Sequence, residues 1–289
     1  MMKDFFLPDL LVKVEATGMA AEKVVGHLEN LFSPNMLSKF PSEQVCFEVI
    51  LREEKSMPVR FPSEPEEVQG DGIPIPDFRD GDGHLSFIGF LDGLLVFFWG
   101  KGRARCFLFP HIGGENFLTG SAYRLFFVST CLWMAERNRF LIHSAAVKRR
   151  GGGYLFWGGS GAGKSTIAGY FAGEEVFSDE APLVFSEGEA FFCARTPFTQ
   201  WRGKGDCFIC DSTPVVKNFF LYRGERLLVR KRPQITALAE IMKSHIHGFP
   251  FMSQEIKRAA FDFFVRYCKD LPMFDLFFSL EDDIKRVLT

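Results

Sequence analysis

Gly158-Gly159-Ser160-Gly161-Ala162-Gly163-Lys164-Ser165-Thr166 is the stretch of this chain whose residue types and spacing carry the most specific chemistry. Its G-x-x-x-x-G-K-[ST] order is that of a phosphate-binding loop. Glycines let backbone N–H groups converge on phosphate oxygens without Cβ clashes. A helix opening after the loop turns its positive end toward the same anion. The pattern therefore predicts that residues 158–166 bind a nucleoside triphosphate. Lys164 would pair with the β and γ oxygens, Ser165 would hold Mg²⁺, and Thr166 would lie near the α-phosphate.

A second set of reactive groups is Asp179-Glu180, beginning fifteen residues after Lys164. That interval accommodates one short helix and one strand. Both carboxylates are then expected at the carboxyl end of a strand beside the loop, where open α/β sheets bind ligands. One carboxylate can hold Mg²⁺ and the other can take a proton from an attacking hydroxyl.

His143 lies in an apolar strand just upstream. Such a His is more often a satisfied core residue than a reacting one, so its type alone does not place it in a site. Arg195, Arg202, Lys204 and Arg223 are the cations able to stabilise a transferring phosphoryl group. Arg202 and Lys204 fall in Trp201-Arg202-Gly203-Lys204-Gly205, a Gly-containing loop able to close over phosphate.

The elements that must position these groups follow from pattern. Tyr154–Trp157 is an apolar strand running into the loop, Ser165–Ala172 a short helix ending at Gly173, and Glu175–Glu180 the next strand. Phe140–Val147 is a strand, and the Gly-rich, basic 148–153 a turn. Ser121–Glu136 lacks Pro and internal Gly and is expected to be helical. Residues 234–247 and 254–268 are two further helices, and 182–185, 189–194 and 215–222 are β-like. Upstream, strands are expected at Leu11–Val14, Val45–Leu51, Leu85–Phe90, Leu94–Trp99 and Cys106–Phe109, with a Pro- and acid-rich loop over 62–83.

Composition sets the class. At 289 residues, 47% hydrophobic and 24% charged, the chain is globular and of one large or two ordinary domains. Its 35 Phe must mostly be core, with a few lining a groove. A net charge of −2 disfavours nucleic acid as a partner. Phe87–Trp99, the most apolar run, is too short to span a bilayer and contains Asp92 and two glycines, so no membrane segment is expected. The spacing of the seven Cys does not read as a secreted disulfide framework, Cys207-Phe208-Ile209-Cys210 is half a zinc site at most, and Met-Met-Lys-Asp-Phe-Phe-Leu-Pro does not have the pattern expected of a signal peptide. Together these point to a cytoplasmic protein.

His-Ser-Ala-Ala-Val at 143–147, the phosphate loop at 158–166 and Phe-Ser-Asp-Glu at 177–180 together resemble the HPr kinase/phosphorylase family. The similarity is greater to the HPr-kinase-related proteins found among bacterial peptide-modification genes. It spans about residues 120–225 and continues to Pro272-Met273-Phe274-Asp275-Leu276, which is similar to the family's closing strand. The resemblance implies an α/β fold, a P-loop mixed sheet of the type shared with phosphoenolpyruvate carboxykinases, over residues 119–289. A mainly β domain over 1–118 precedes it. It also implies ATP and Mg²⁺ as cofactors, held by Lys164 and Ser165. Asp179 would be the general base, Glu180 would help place the metal, and His143 would sit in the catalytic cleft. Arg202-Gly203 is faintly similar to a glycine-rich Arg-Gly signature of the family, which puts Arg202 among the catalytic candidates. The implied reaction is phosphorylation of a serine hydroxyl on a peptide or small protein, and the family's habit allows a homo-oligomer. The chain differs from the family in having Asp-Glu where the bifunctional enzymes carry Asp-Asp. A small-molecule kinase and a non-catalytic ATP sensor are the competing readings. The chain lacks the Asn-Lys-x-Asp motif of GTPases and the Leu-Ser-Gly-Gly motif of transporter ATPases.

Overall fold

Tyr154-Leu155-Phe156-Trp157 is apolar at every position because the strand it forms is covered on both faces. Phe156 stacks on Phe171 and Phe219, while Trp157 stacks on Phe220 and meets Tyr267 edge to face. The period of two thus feeds two aromatic layers from one strand.

The computed structural model describes residues 2–7, 10–18, 21–23, 25–26, 45–53, 73–80, 83–90, 93–108, 115–171, 175–196, 198, 212–279 and 282–288. Two compact units emerge: Met1–Glu136 with Pro250–Ser253, and Arg137–Phe249 with Gln254–Thr289. The 118/119 boundary implied by the resemblance falls inside the long helix Glu115–Ala135, whose contacts lie with the first unit.

The first unit is a seven-stranded mixed sheet. Its strands are β1 (Met2–Leu7), β2 (Leu10–Thr17), β3 (Val45–Glu53), β4 (Ile73–Asp80), β5 (Gly83–Phe90), β6 (Gly93–Phe98) and β7 (Arg103–Leu108), in the order β1-β2-β3-β7-β6-β5-β4. Helix α1 (Glu115–Ala135) packs on β3, β6 and β7. Strand β4 corrects the loop expected across 62–83. It lies at the sheet edge with an irregular register between Ile75 and Phe78, the kind of position in which prolines such as Pro74 and Pro76 are tolerated.

The second unit is a nine-stranded mixed sheet. Its strands are β8 (Phe140–Leu141), β9 (Ser144–Arg149), β10 (Gly152–Trp157), β11 (Glu175–Ser178), β12 (Leu183–Glu187), β13 (Ala190–Ala194), β14 (Ser212–Arg223), β15 (Leu228–Lys231) and β16 (Met273–Phe278). The main order is β11-β9-β10-β14-β13-β12-β8, with β16 joining β14 and β15 joining β16. Helices α2 (Lys164–Tyr170), α3 (Gln234–Ser244) and α4 (Gln254–Asp270) complete it. Helix α4 buries Ala260, Phe263, Phe264, Tyr267 and Cys268, an apolar stripe at helical spacing.

Three expectations are corrected here. The strand over 140–147 is broken at Ile142 and His143, so its halves join different parts of the sheet. The turn over 148–153 shrinks to Arg150-Gly151, both at positive φ, the geometry of a two-residue hairpin loop. The helix over 234–247 stops at Ser244, and Ile246 instead bridges Ile142. Among the described residues no helix is long and apolar enough to cross a membrane.

Asn218 ties the two aromatic strands to α4. Its fully buried Oδ1 accepts from Trp157 Nε1 at 2.9 Å and from the Tyr267 hydroxyl at 2.6 Å. Asn218→Leu leaves both buried donors without that acceptor. The expected loss is about 2 kcal/mol, read as a lower urea midpoint with an unchanged slope.

Candidate functional site

Strand directions bring the reactive groups to one end of the sheet. β10, β14 and β16 run parallel, so the residues after Trp157, Arg223 and Phe278 share that end. β9 runs antiparallel to β10 with Ser144 opposite Trp157, which places His143 beside the start of the loop. β11 is antiparallel to β9 and therefore points the same way as β10, delivering Asp179 and Glu180.

The loop has the backbone that its glycines predict. Gly161 and Gly163 have φ of 74° and 102°, which other residues rarely adopt. A Cβ on Gly163 would also fall 2.8 Å from Phe278 Cζ. Residues Gly161, Ala162, Gly163, Thr166, Arg223, Gly224, Phe278 and Ser279 line a cavity of about 330 Å³, within the range of small-molecule pockets.

Lys164 is buried at the first position of α2. Its ammonium has three donors and finds three acceptors: the carbonyls of Gly158 at 2.8 Å and Gly159 at 3.0 Å, and His143 Nε2 at 2.8 Å. An ammonium only donates, so Nε2 accepts and the ring proton sits on Nδ1. Nδ1 faces Glu180 Oε1 at 3.2 Å. Glu180, His143 and Lys164 are thus linked in one chain of contacts. Burial holds the Lys164 ammonium below its ordinary pKa, against the opposing charges of Glu180 and Asp179. Glu180 is held below the usual carboxylate range, chiefly by the His143 hydrogen bond and then by the charges of His143, Lys164 and His247, with burial opposing.

Asp179 has a different environment. It is 2% exposed, whereas the Glu180 side chain is 42% exposed. The Ser165 hydroxyl donates to Asp179 Oδ2 at 3.1 Å. Ser178 shapes the turn between them. Its hydroxyl accepts from the N–H groups of Glu180 and Ala181 and donates to the Phe198 carbonyl. The carboxylate beside Ser165 is therefore Asp179, while Glu180 attends His143. A buried carboxylate against a hydroxyl is an oxygen donor set, which suits a hard cation such as Mg²⁺.

Other candidates fare unequally. Arg223 approaches the Gly161 carbonyl at 3.5 Å and lines the cavity. Arg195 lies over the Phe177 ring, on the strand that carries Asp179. Arg202, Lys204, Cys207 and Cys210 lie outside the described residues.

The sequence reading missed His245 and His247. His245 Nδ1 donates to the His143 carbonyl at 3.1 Å, and His247 Nε2 lies 3.3 Å from the Glu180 carbonyl oxygen. Burial lowers the pKa of both imidazoles, that of His247 to about 4. A His-x-His placed where a helical pattern ends was the only signal in the sequence.

No protein-family model and no curated protein sequence matches the chain. Among solved structures, the HPr(Ser) kinase/phosphatase from Coxiella burnetii is similar over 50% of this chain and 88% of its own, at 13% identity and a TM-score of 0.29.

Proposed function

We propose that this chain is an ATP-dependent kinase that moves the γ-phosphate to a hydroxyl, with serine on a peptide or small protein as the acceptor class. The observation that carries the reading is that two hydrogen-bonded sets meet at the loop: Lys164 with His143 and Glu180, and Ser165 with Asp179. Binding of triphosphate alone needs the loop, but a His–carboxylate pair beside it is what an acceptor hydroxyl requires. The acceptor class rests on the resemblance of the three sequence motifs.

In this reading the loop N–H groups and Lys164 bind the phosphates, and Arg223 flanks the nucleotide in the adjoining cavity. Ser165 and Asp179 would hold Mg²⁺, which would supply positive charge to the transferring phosphoryl group. When Lys164 turns to phosphate, the Nε2 lone pair of His143 is released. His143 then accepts the hydroxyl proton while Glu180 holds Nδ1–H and stabilises the imidazolium. The roles of the two acids are thereby exchanged relative to the sequence expectation, because Ser165 is bonded to Asp179 and His143 to Glu180.

The test is transfer of label from γ-labelled ATP and Mg²⁺ into a lysate of the source organism, with Lys164→Ala as control. The expected result is a labelled peptide or small protein with the parent chain only, and ATP affinity at least about tenfold weaker in the variant, since a charge-assisted contact is lost. ATP binding without macromolecular label would turn the reading to a small-molecule acceptor or a sensor. No ATP binding at all would end it.

A further inference from the structure

His143, Glu180 and His247 each offer one ligand atom, and these three atoms lie within 4.8 Å of one another. We propose that they form a binding site for a divalent first-row transition-metal cation of the Zn²⁺ type, distinct from the oxygen site at Ser165 and Asp179. The donor set decides the class. Two imidazoles and a carboxylate suit Zn²⁺ and its neighbours, whereas Mg²⁺ prefers oxygen throughout. Three protein ligands with an open fourth position is a known zinc arrangement.

The spacing is close to what such an ion needs. With bonds of about 2.0–2.1 Å at tetrahedral angles, neighbouring ligand atoms lie roughly 3.3 Å apart. His143 Nδ1 and Glu180 Oε1 are already 3.2 Å apart. Bringing His247 into the set requires a shift of no more than about 1.5 Å, within reach of a rotamer adjustment.

The backbone under the three residues is fixed. The Ile142–Ile246 bridge joins the two histidine-bearing segments. It is flanked by the bonds from His143 N–H to the His245 carbonyl and from His247 N–H to the Leu141 carbonyl, both 2.9 Å. Glu180 N–H is held by Ser178 Oγ at 3.1 Å. The strand break at Ile142 and His143, which simple alternation did not foresee, is what allows this pairing. A metal on Nδ1 leaves the ring proton on Nε2, so metal occupancy and the hydrogen bond from Lys164 to His143 exclude each other. Resting on the kinase reading, one consequence follows: the ion occupies the His143–Glu180 pair, so Zn²⁺ inhibits phosphoryl transfer.

The test is calorimetric titration of the full chain, freed of metal and without nucleotide, using Zn²⁺ as the probe. A Cys207→Ser, Cys210→Ser background removes the competing thiols. One Zn²⁺ per chain is expected, with affinity at least tenfold weaker in His247→Gln and in Glu180→Gln, and no displacement by equimolar Mg²⁺. Urea midpoints of the variants confirm that each is folded. Absence of stoichiometric binding, or affinity unchanged in a folded His247→Gln, overturns the site. In the transfer assay, micromolar Zn²⁺ should inhibit the parent and spare His247→Gln. Binding that depends on His247 in a chain that transfers no phosphate supports the metal site and overturns only the kinase reading.

Discussion

Glu180→Gln is expected to lower the phosphoryl-transfer rate about 10²–10⁴-fold, the usual cost of a lost acid–base partner, with ATP affinity within a few-fold of the parent. The amide oxygen of Gln can still accept from His143 Nδ1–H, so ring orientation survives while the charge that stabilises the imidazolium is lost. Asp179→Asn should be at least as damaging, for a different reason. Asn still accepts from the Ser165 hydroxyl, but the buried negative charge is gone. Raising Mg²⁺ should therefore recover part of the activity of Asp179→Asn and none of that of Glu180→Gln. Steady-state transfer at several Mg²⁺ concentrations separates the two. The opposite pattern, with rescue in Glu180→Gln alone, would return the metal to Glu180 and the base to Asp179.

The largest loss of stability is expected at Arg232. Its guanidinium is buried over the Phe220 ring, 4.1 Å from the centroid. It donates to Asp275 Oδ1 at 2.6 Å, to the Tyr222 hydroxyl at 2.7 Å and to Glu240. The hydrogen bonds and the Glu240 charge raise its pKa against the cost of burial, which is the largest single contribution. Arg232→Met keeps most of the apolar volume and strands two carboxylates. Removing one member of a buried ion pair costs about 3–5 kcal/mol. Asp275 and Glu240 remain 23% and 32% exposed, so solvent screening places the expected cost near the low end, about 3 kcal/mol. Urea unfolding of the variant should show it, and Asp275→Asn added to Arg232→Met should recover part of the loss. Glu240 also lies 3.7 Å from His245 Nε2, and His245 holds the His143 carbonyl. The same variant should therefore slow transfer more than it weakens ATP binding.

The loop was legible because its chemistry is local. Glycines, lysine and two hydroxyls follow one another along the chain, and the strand before them and helix after them are fixed by residues a few positions away. The acid pair was legible for a similar reason, since one short helix and one strand leave little choice of where residue 179 can arrive. The Pro-rich segment holding β4 was misread because a proline's effect depends on whether its missing N–H faces a neighbour, which sheet order decides.

Tertiary structure alone decided which acid meets which partner. Successive carboxylates at a strand end differ in type by one methylene, yet one is sealed against Ser165 and the other faces His143. Nothing in the local sequence distinguishes those environments, because the turn at Ser178 and the register of β9 against β10 set them. His247 reaches Glu180 from 67 residues further along the chain, through a bridge that exists only because β8 and β9 part at Ile142. The sequence by itself determined that the Gly-rich loop at 158–166 and two acids would meet, since both lie within one strand–helix–strand unit. Which acid pairs with the loop serine, and that His143 and His247 both reach the other, came from strand partners distant in sequence, whose pairing is fixed by burial on both sheet faces rather than by any one segment.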